Sequence, residues 1–417
     1  MHRFSTLLAV GALVCALGAG QAFARSPVPA DGTAADTATD PAGATIDLTQ
    51  LFAPGEVDLS QLGASPTDLL GVGPTASSSD PGGPLVVAPI GSTMCPTAQF
   101  HTIQSAVTAA PAGSMIKVCA GTYVEQVAIP AGKDGLTLYS VPDLGAVIKA
   151  PAVMSSPKAI VRVNGATNVT IRHFTITGPG GGPCDTLEYG VRVDGGGSAT
   201  IADNHITKIE DTPLSGCQNG VAVRIGQMST GDVGSGSVVH NQIDEYQKGG
   251  VVVDNAGSSA EVAFNVVQGV GATPLIAQNG IQISRGATGD VEHNTVSMNN
   301  YALPSTDSVG ILLFMDSNSG TVVSHNDTSL NDDGIFLFVD VAGTEIAYNG
   351  ATQNDDTGIT ADSTSSSNTI SNNKASGNGV FDCEDDSAGA GTAGTADFWI
   401  QDFGMTENRP GLCKQTG

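Results

Sequence analysis

One short phrase is written seven times in this chain. GVRVD at Gly190, GVAVR at Gly220, GVVVD at Gly250, GIQIS at Gly280, GILLF at Gly310, GIFLF at Gly334 and GITAD at Gly358 each place aliphatic residues one and three positions after a glycine. A second phrase, aliphatic-x-x-Asn, alternates with it and ends at Asn204, Asn241, Asn265, Asn294, Asn326, Asn349 and Asn373. The shorter steps between these asparagines are 23 or 24 residues, and the longer ones carry extra loop. Strand-like pieces recurring at so short a period demand a stacked solenoid, in which length sets the number of coils rather than of domains. Each coil is expected to hold about three short strands. Neighbouring coils then lie about 4.8 Å apart, joined into parallel sheets. Parallel crossovers are right-handed almost without exception, so the winding should be too.

The asparagines have a physical reason to recur. A side-chain amide both donates and accepts, so a file of them can bond from coil to coil. Asn also tolerates the left-handed corner conformation. A second file is expected five residues on, at Asn299, Asn331, Asn354 and Asn378.

The first 24 residues read as a secretory signal: Arg3, then an apolar run from Leu7 to Leu17, then Ala22-Phe23-Ala24. No other stretch is apolar for the length of a membrane span. Residues 25–90 are rich in Ala, Pro, Gly, Ser, Thr and Asp and read as a disordered leader, with two related fragments, IDLTQLF and VDLSQL, that could dock on the solenoid or a partner. Residues 91–417 should form the solenoid. FHTIQSAVTAAPAG from Phe100 has helical spacing and is placed to cap the first coil. A balance of 16 Lys+Arg against 41 Asp+Glu repels nucleic acid and anionic lipid. The expectation is a secreted, soluble monomer.

Six cysteines remain in the mature chain. They form three close couples, Cys95 with Cys119, Cys184 with Cys217 and Cys383 with Cys413, and proximity favours these pairings among the 15 possible in an oxidising compartment.

The repeats GI-x-I and I-x-x-N resemble those of the right-handed parallel β-helix superfamily, the pectin-lyase-like fold. The opening FHTIQSAVTAAPAGSMIKVCAGTYVEQVAIPAG is similar to the first coil of such proteins, pectin esterases included, and TENRPGLC from Thr406 resembles the tails of secreted bacterial members. The resemblance covers about 320 residues. It implies the fold strongly and the chemistry weakly, because the superfamily holds lyases, hydrolases, esterases, epimerases and non-catalytic proteins. The esterase, polygalacturonase and alginate-epimerase signatures are missing from this chain.

With each phrase glycine as zero, positions two and four face outward. This ruler stacks Asp194, Arg224 and Asp254 on three successive coils, with Arg192 and Arg285 beside them as candidates to hold substrate. Two rungs separate the aspartates, roughly 9.6 Å at the rung spacing, near the span of inverting glycosidases. An arginine between them could instead neutralise a uronate, or the set could be a plain salt-bridge ladder. Gln282, Phe314, Phe336 and Phe338, with Leu312, fall on the same face as candidate substrate contacts, and ADFWIQDFGM from Ala396 could cover the aromatic part through Trp399 and Phe403. Asp332 and Asp333 should stack on Asp355 and Asp356, a candidate Ca²⁺ site if not a solvated turn. His240, His293 and His325 each precede a file asparagine and read as turn fillers. Three functions follow: binding of extracellular or cell-surface polysaccharide along the flank; a lyase or hydrolase on acidic polysaccharide, with Asp194, Arg224 and Asp254 catalytic; and a structural spacer.

Overall fold

The computed structural model describes residues 37–39, 45–47, 83–317 and 319–414. Thr37–Thr39 pairs antiparallel with Thr45–Asp47, inside the stretch expected to be disordered. The two leucine-containing fragments lie largely outside the described residues, as does the signal segment. The larger unit winds into coils of three strands. In one coil these are Tyr189–Asp194, Gly197–Ala202 and His205–Thr207. The next coil repeats them as Val221–Ile225, Gly234–Val239 and Gln242–Asp244, each pairing parallel with its predecessor.

The chain thus builds three ladders. The first, carrying the Gly phrases, has ten strands from Val127–Pro130 to Phe381–Asp385. The second and third are joined at their start by the long strands Met115–Val124 and Thr137–Lys149. The opening strand, Leu85–Val87, lies before residue 90, so the solenoid starts earlier than composition suggests. No helix among the described residues is long and apolar enough to cross a membrane.

The core is a set of aliphatic files. Val161, Val191, Val223, Val251, Ile281, Ile311, Ile335 and Ile359 follow one another in register and are fully buried. Each such side chain contributes about 1.5–3 kcal/mol on leaving water. Small β-branched residues suit this interior because strand sterics and a narrow bore favour them.

Both asparagine files form. In the first, each Nδ2 donates to the next Oδ1 at 2.9–3.1 Å, from Asn204 through Asn373. The second runs Asn299, Asn331, Asn354, Asn378 in the same way. The left-handed bend, however, falls on the residue before the asparagine: Asp203, His240, Phe264, His293, His325, Tyr348 and Asn372 all have φ between 54° and 59°. The file asparagine is left free to aim its amide inward along the stack.

The helix Ile103–Ala109 closes the first coil. Ile103, Ala106 and Val107 are buried against the core. Thr102 caps it by accepting from Ser105 N, and the Glu125 carboxylate accepts from the free amides of Ile103 and Gln104 at 2.8 and 2.9 Å. The three expected disulfides, Cys95–Cys119, Cys184–Cys217 and Cys383–Cys413, are all present.

Candidate functional site

The outward side of the first ladder carries two files. One holds Arg162, Arg192, Arg224, Val252, Gln282, Leu312 and Phe336. The other holds Asn164 and Asp194, then Asp254, Ser284, Phe314 and Phe338. Arg224 therefore stands beside the aspartate file rather than in it, which corrects the single file expected from the phrase. The cause is Gly220. It is a corner residue at φ +82°, where a Cβ would come within 2.5 Å of the Ile209 carbonyl. The strand begins one residue after the phrase glycine instead of one before it, a shift of two, so Val221 faces Tyr189 on one side and Gly249 on the other.

The charges are not on open surface. Asp194 and Arg224 are 0% exposed and Asp254 1%. Two ion-pair islands account for them. In the first, Asp194 takes Arg162 (Nη2 to Oδ2, 2.9 Å) and Arg192, and Arg192 also reaches Asp232 at 2.9 Å. In the second, Asp254 takes Arg224 at 2.6 Å and Arg285 at 2.8 Å, with the Ser284 hydroxyl donating at 2.7 Å. Burial pulls the Asp254 carboxyl upward, but the two guanidiniums outweigh it and hold the group below its ordinary value. Burial lowers the Arg224 pKa, and Asp254 opposes that shift.

The segment 226–233 ties into both islands. Met228 N donates to Asp254 at 2.8 Å, Gly226 O accepts from Arg224 Nε at 2.9 Å, and Asp232 receives Arg192. Two further insertions are locked together nearby. Cys184–Cys217 joins them, and buried Asp211 accepts from Thr186 N, the Thr186 and Ser215 hydroxyls, Asn219 Nδ2 and Gln247 Nε2. Gln282 is fully buried, donating to Ser284 and accepting from Asn279.

Leu312, Phe314 and Phe336 are buried, and Phe338 is partly so; the ring centroids of Phe314 and Phe336 lie 5.9 and 4.9 Å from that of Phe338. The tail does not cover them through Trp399. Phe398–Ile400 instead adds a last strand to the second ladder, with Trp399 opposite Ile370, and Phe403 bridges to Lys374 on the third. The indole plugs the open end of the core, and its N–H donates to Asp385 at 2.8 Å. That end would otherwise expose aliphatic side chains, which explains why the largest side chain of the tail goes there.

Of the four acidic candidates, Asp332 and Asp355 are brought together by Asn300, whose amide donates to both at 3.4 and 3.1 Å. Asp332 also accepts from the amides of Tyr301 and Ser308 at 2.7 Å, and burial pushes its carboxyl up to about 6. Asp333 is fully buried and accepts from Thr357 N, while Asp356 is half-buried. Among the described residues the one three-residue His/Cys/Asp/Glu grouping with metal-site spacing is Cys184, Asp211 and Cys217, whose cysteines are disulfide-bonded.

A further array went unread. The rings of His240, Phe264, His293, His325 and Tyr348 stack at centroid spacings of 5.0, 4.9, 4.9 and 5.2 Å along the corner between the second and third ladders. All five are exposed, Phe264 by 47% and Tyr348 by 56%. The signal was available: each occupies the slot before a file asparagine. Beside them run the outward rows of the third ladder, among them Gln242, Thr295, Gln268, Ser297, Ser329 and Thr352.

Comparison with known proteins supports the architecture. A family described as "Right handed beta helix region" matches residues 222–399. A search of curated proteins returns no match. Among solved structures, the Dettilon tailspike protein is 16% identical over 72% of this chain and 58% of its own, with a TM-score of 0.50. XylC in complex with xylose is 14% identical over 70% of this chain and 69% of its own (TM-score 0.49), and pectate lyase Pel9A 14% over 74% and 72% (TM-score 0.43). The coil-on-coil winding, the asparagine files and the matched segment together give this chain the fold of a right-handed parallel β-helix.

Proposed function

We propose that this protein is a binder of extracellular polysaccharide, and that it holds the chain along its flank. The observation that carries this reading is the exposed ring column beside the third ladder. Five rings in line, spaced by one rung each, present a linear apolar edge next to rows of hydroxyl and amide groups. A polysaccharide has the matching form: repeated apolar ring faces and hydroxyls in a line. Aromatic residues with flanking polar groups are the usual means of holding such ligands.

Retention of the mature protein in native gels cast with a panel of acidic and neutral polysaccharides tests this. Phe264→Ala and Tyr348→Ala should each weaken binding several-fold, since a ring contact is worth about 0.5–1.5 kcal/mol. Binding undiminished in the double variant would remove the column from consideration.

A second reading, a lyase or hydrolase acting through Asp194, Arg224 and Asp254, requires access to buried, mutually paired groups. It predicts release of unsaturated uronate or reducing ends by the wild type, lost in Arg224→Ala. No release from any substrate in the panel would leave the three residues as architecture.

A further inference from the structure

The ring column runs through a stretch of chain almost without lysine or arginine. Between residues 237 and 352 there are only Lys248 and Arg285. Lys248 is buried, and Arg285 is bonded to Asp254 at 2.8 Å on the first ladder. By register, Lys374 follows one coil beyond the end of the column, next to Gly350.

Carboxylates flank the rings instead. Glu261, Asp290 and Glu345 share one outward row of the second ladder, and each stands three residues before a ring of the column. Glu292 directly precedes His293, and Asp327 follows His325 by two residues at the start of a third-ladder strand. All are exposed except Glu292, which is half-buried. Among the described residues, none of the five side chains has a hydrogen bond or an ion pair. Asp244 shows the contrast: its charge is answered in place by His205 at 2.9 Å. The unpaired carboxylates lie on both sides of the rings, in a part of the chain where, from residue 286 onward, 19 Asp and Glu stand against 3 Lys and Arg. Their fields add along the column.

This field bears on the charge of the ligand. A uronate or sulfated chain laid on the rings would bring anions against carboxylates, with no lysine or arginine to receive them. An uncharged chain would meet the rings and hydroxyls and leave the carboxylates unused. A chain of amino sugars meets all three, because its ammonium groups can make charge-assisted hydrogen bonds to the carboxylates. We infer that the ring column takes a cationic polysaccharide, one whose sugars carry free amino groups. The inference rests on the column being the glycan site and adds the charge of the glycan.

Fluorescence anisotropy tests it, with labelled hexamers of glucosamine, N-acetylglucosamine and galacturonate in mildly acidic, low-salt buffer. The glucosamine hexamer should bind about tenfold tighter than its acetylated counterpart, as a few exposed charge pairs allow. Galacturonate should bind weakest, and added salt should erase the preference. Glu261→Gln/Asp290→Asn/Asp327→Asn should abolish the preference and leave the acetylated hexamer's affinity unchanged. Asp340→Asn/Asp386→Asn, at two exposed carboxylates outside these rows, should keep it. Equal affinity for the two glucosamine forms, or tighter binding of galacturonate, overturns the inference; if Phe264→Ala/Tyr348→Ala still weakens that binding, the column stands as a glycan site of another charge class. A preference that survives the triple variant, or that Asp340→Asn/Asp386→Asn removes as well, overturns it as general attraction to an acidic protein. Binding of all three hexamers that ignores the ring variant removes the column itself, and the inference with it.

Discussion

Asn294 shows how much one residue can carry in a wound fold. Its Nδ2 donates to Asn326 Oδ1 and the Val262 carbonyl, and its Oδ1 receives both the backbone and side-chain N–H of Asn265. Asn294→Ala leaves several of these buried groups unpaired. Each costs about 1–3 kcal/mol, so a loss of ~3–5 kcal/mol in denaturant unfolding is expected. The neighbouring exposed Thr295→Ala should stay within about 0.5 kcal/mol of wild type. The buried arginines obey the same logic with charge added. Arg224 has one Nη1 without a partner, so its burial rests on Asp254 and the Gly226 carbonyl.

At the scale of the element, the segment 226–233 depends on the ion pairs it helps to bury. Asp254→Asn weakens the holds on Arg224, Arg285 and Met228 N together. Breaking a buried pair of this kind costs about 3–5 kcal/mol. The amides of 226–233 should lose hydrogen-exchange protection first, before the strands on either side. This element also marks where sequence stopped being informative. Aliphatic positions one and three of each phrase predicted core files, because strand alternation is local physics. Whether a position two or four side chain stays outward-exposed depends on what a distant loop does. Nothing local revealed that Gly220 is a corner glycine, which moved Arg224 into the file next to Asp254. The ring column is legible in principle, since Phe264 and Tyr348 share the slot of His293; the slot holds three different ring types, so residue identity alone does not mark it.

For the whole molecule, net charge is −25 and three buried carboxyls add to the strain of ionisation. Burial pushes Asp332, Asp397 and Asp402 each up to about 6, above the ordinary 3.8. The folded chain therefore binds more protons than the unfolded one between pH 4 and 6, and stability falls as pH rises through that window. His205, raised chiefly by its hydrogen bond to Asp244, acts in the same direction: its contribution is present below pH 6.5 and fades above its raised folded value. Lys248 is lowered by burial to about 7, so the cost of burying its charge is full below that pH and is relieved only as pH rises above it. Melting should thus be several degrees higher at pH 5 than at pH 7.5 by calorimetry in low salt. Asp402→Asn should flatten part of the slope. A melting point independent of pH over this range would contradict the burial of these groups.

The asparagine files have a sense of direction. Every side-chain amide in them donates to the oxygen of the next member of the file, and the last recipients are Asp402 in one file and Asp382 in the other. An ionised carboxylate receives and passes nothing on. Each file is therefore punctuated: aspartate is the full stop that lets a repeating sentence end, where another amide would hold out an unanswered hand to the next molecule.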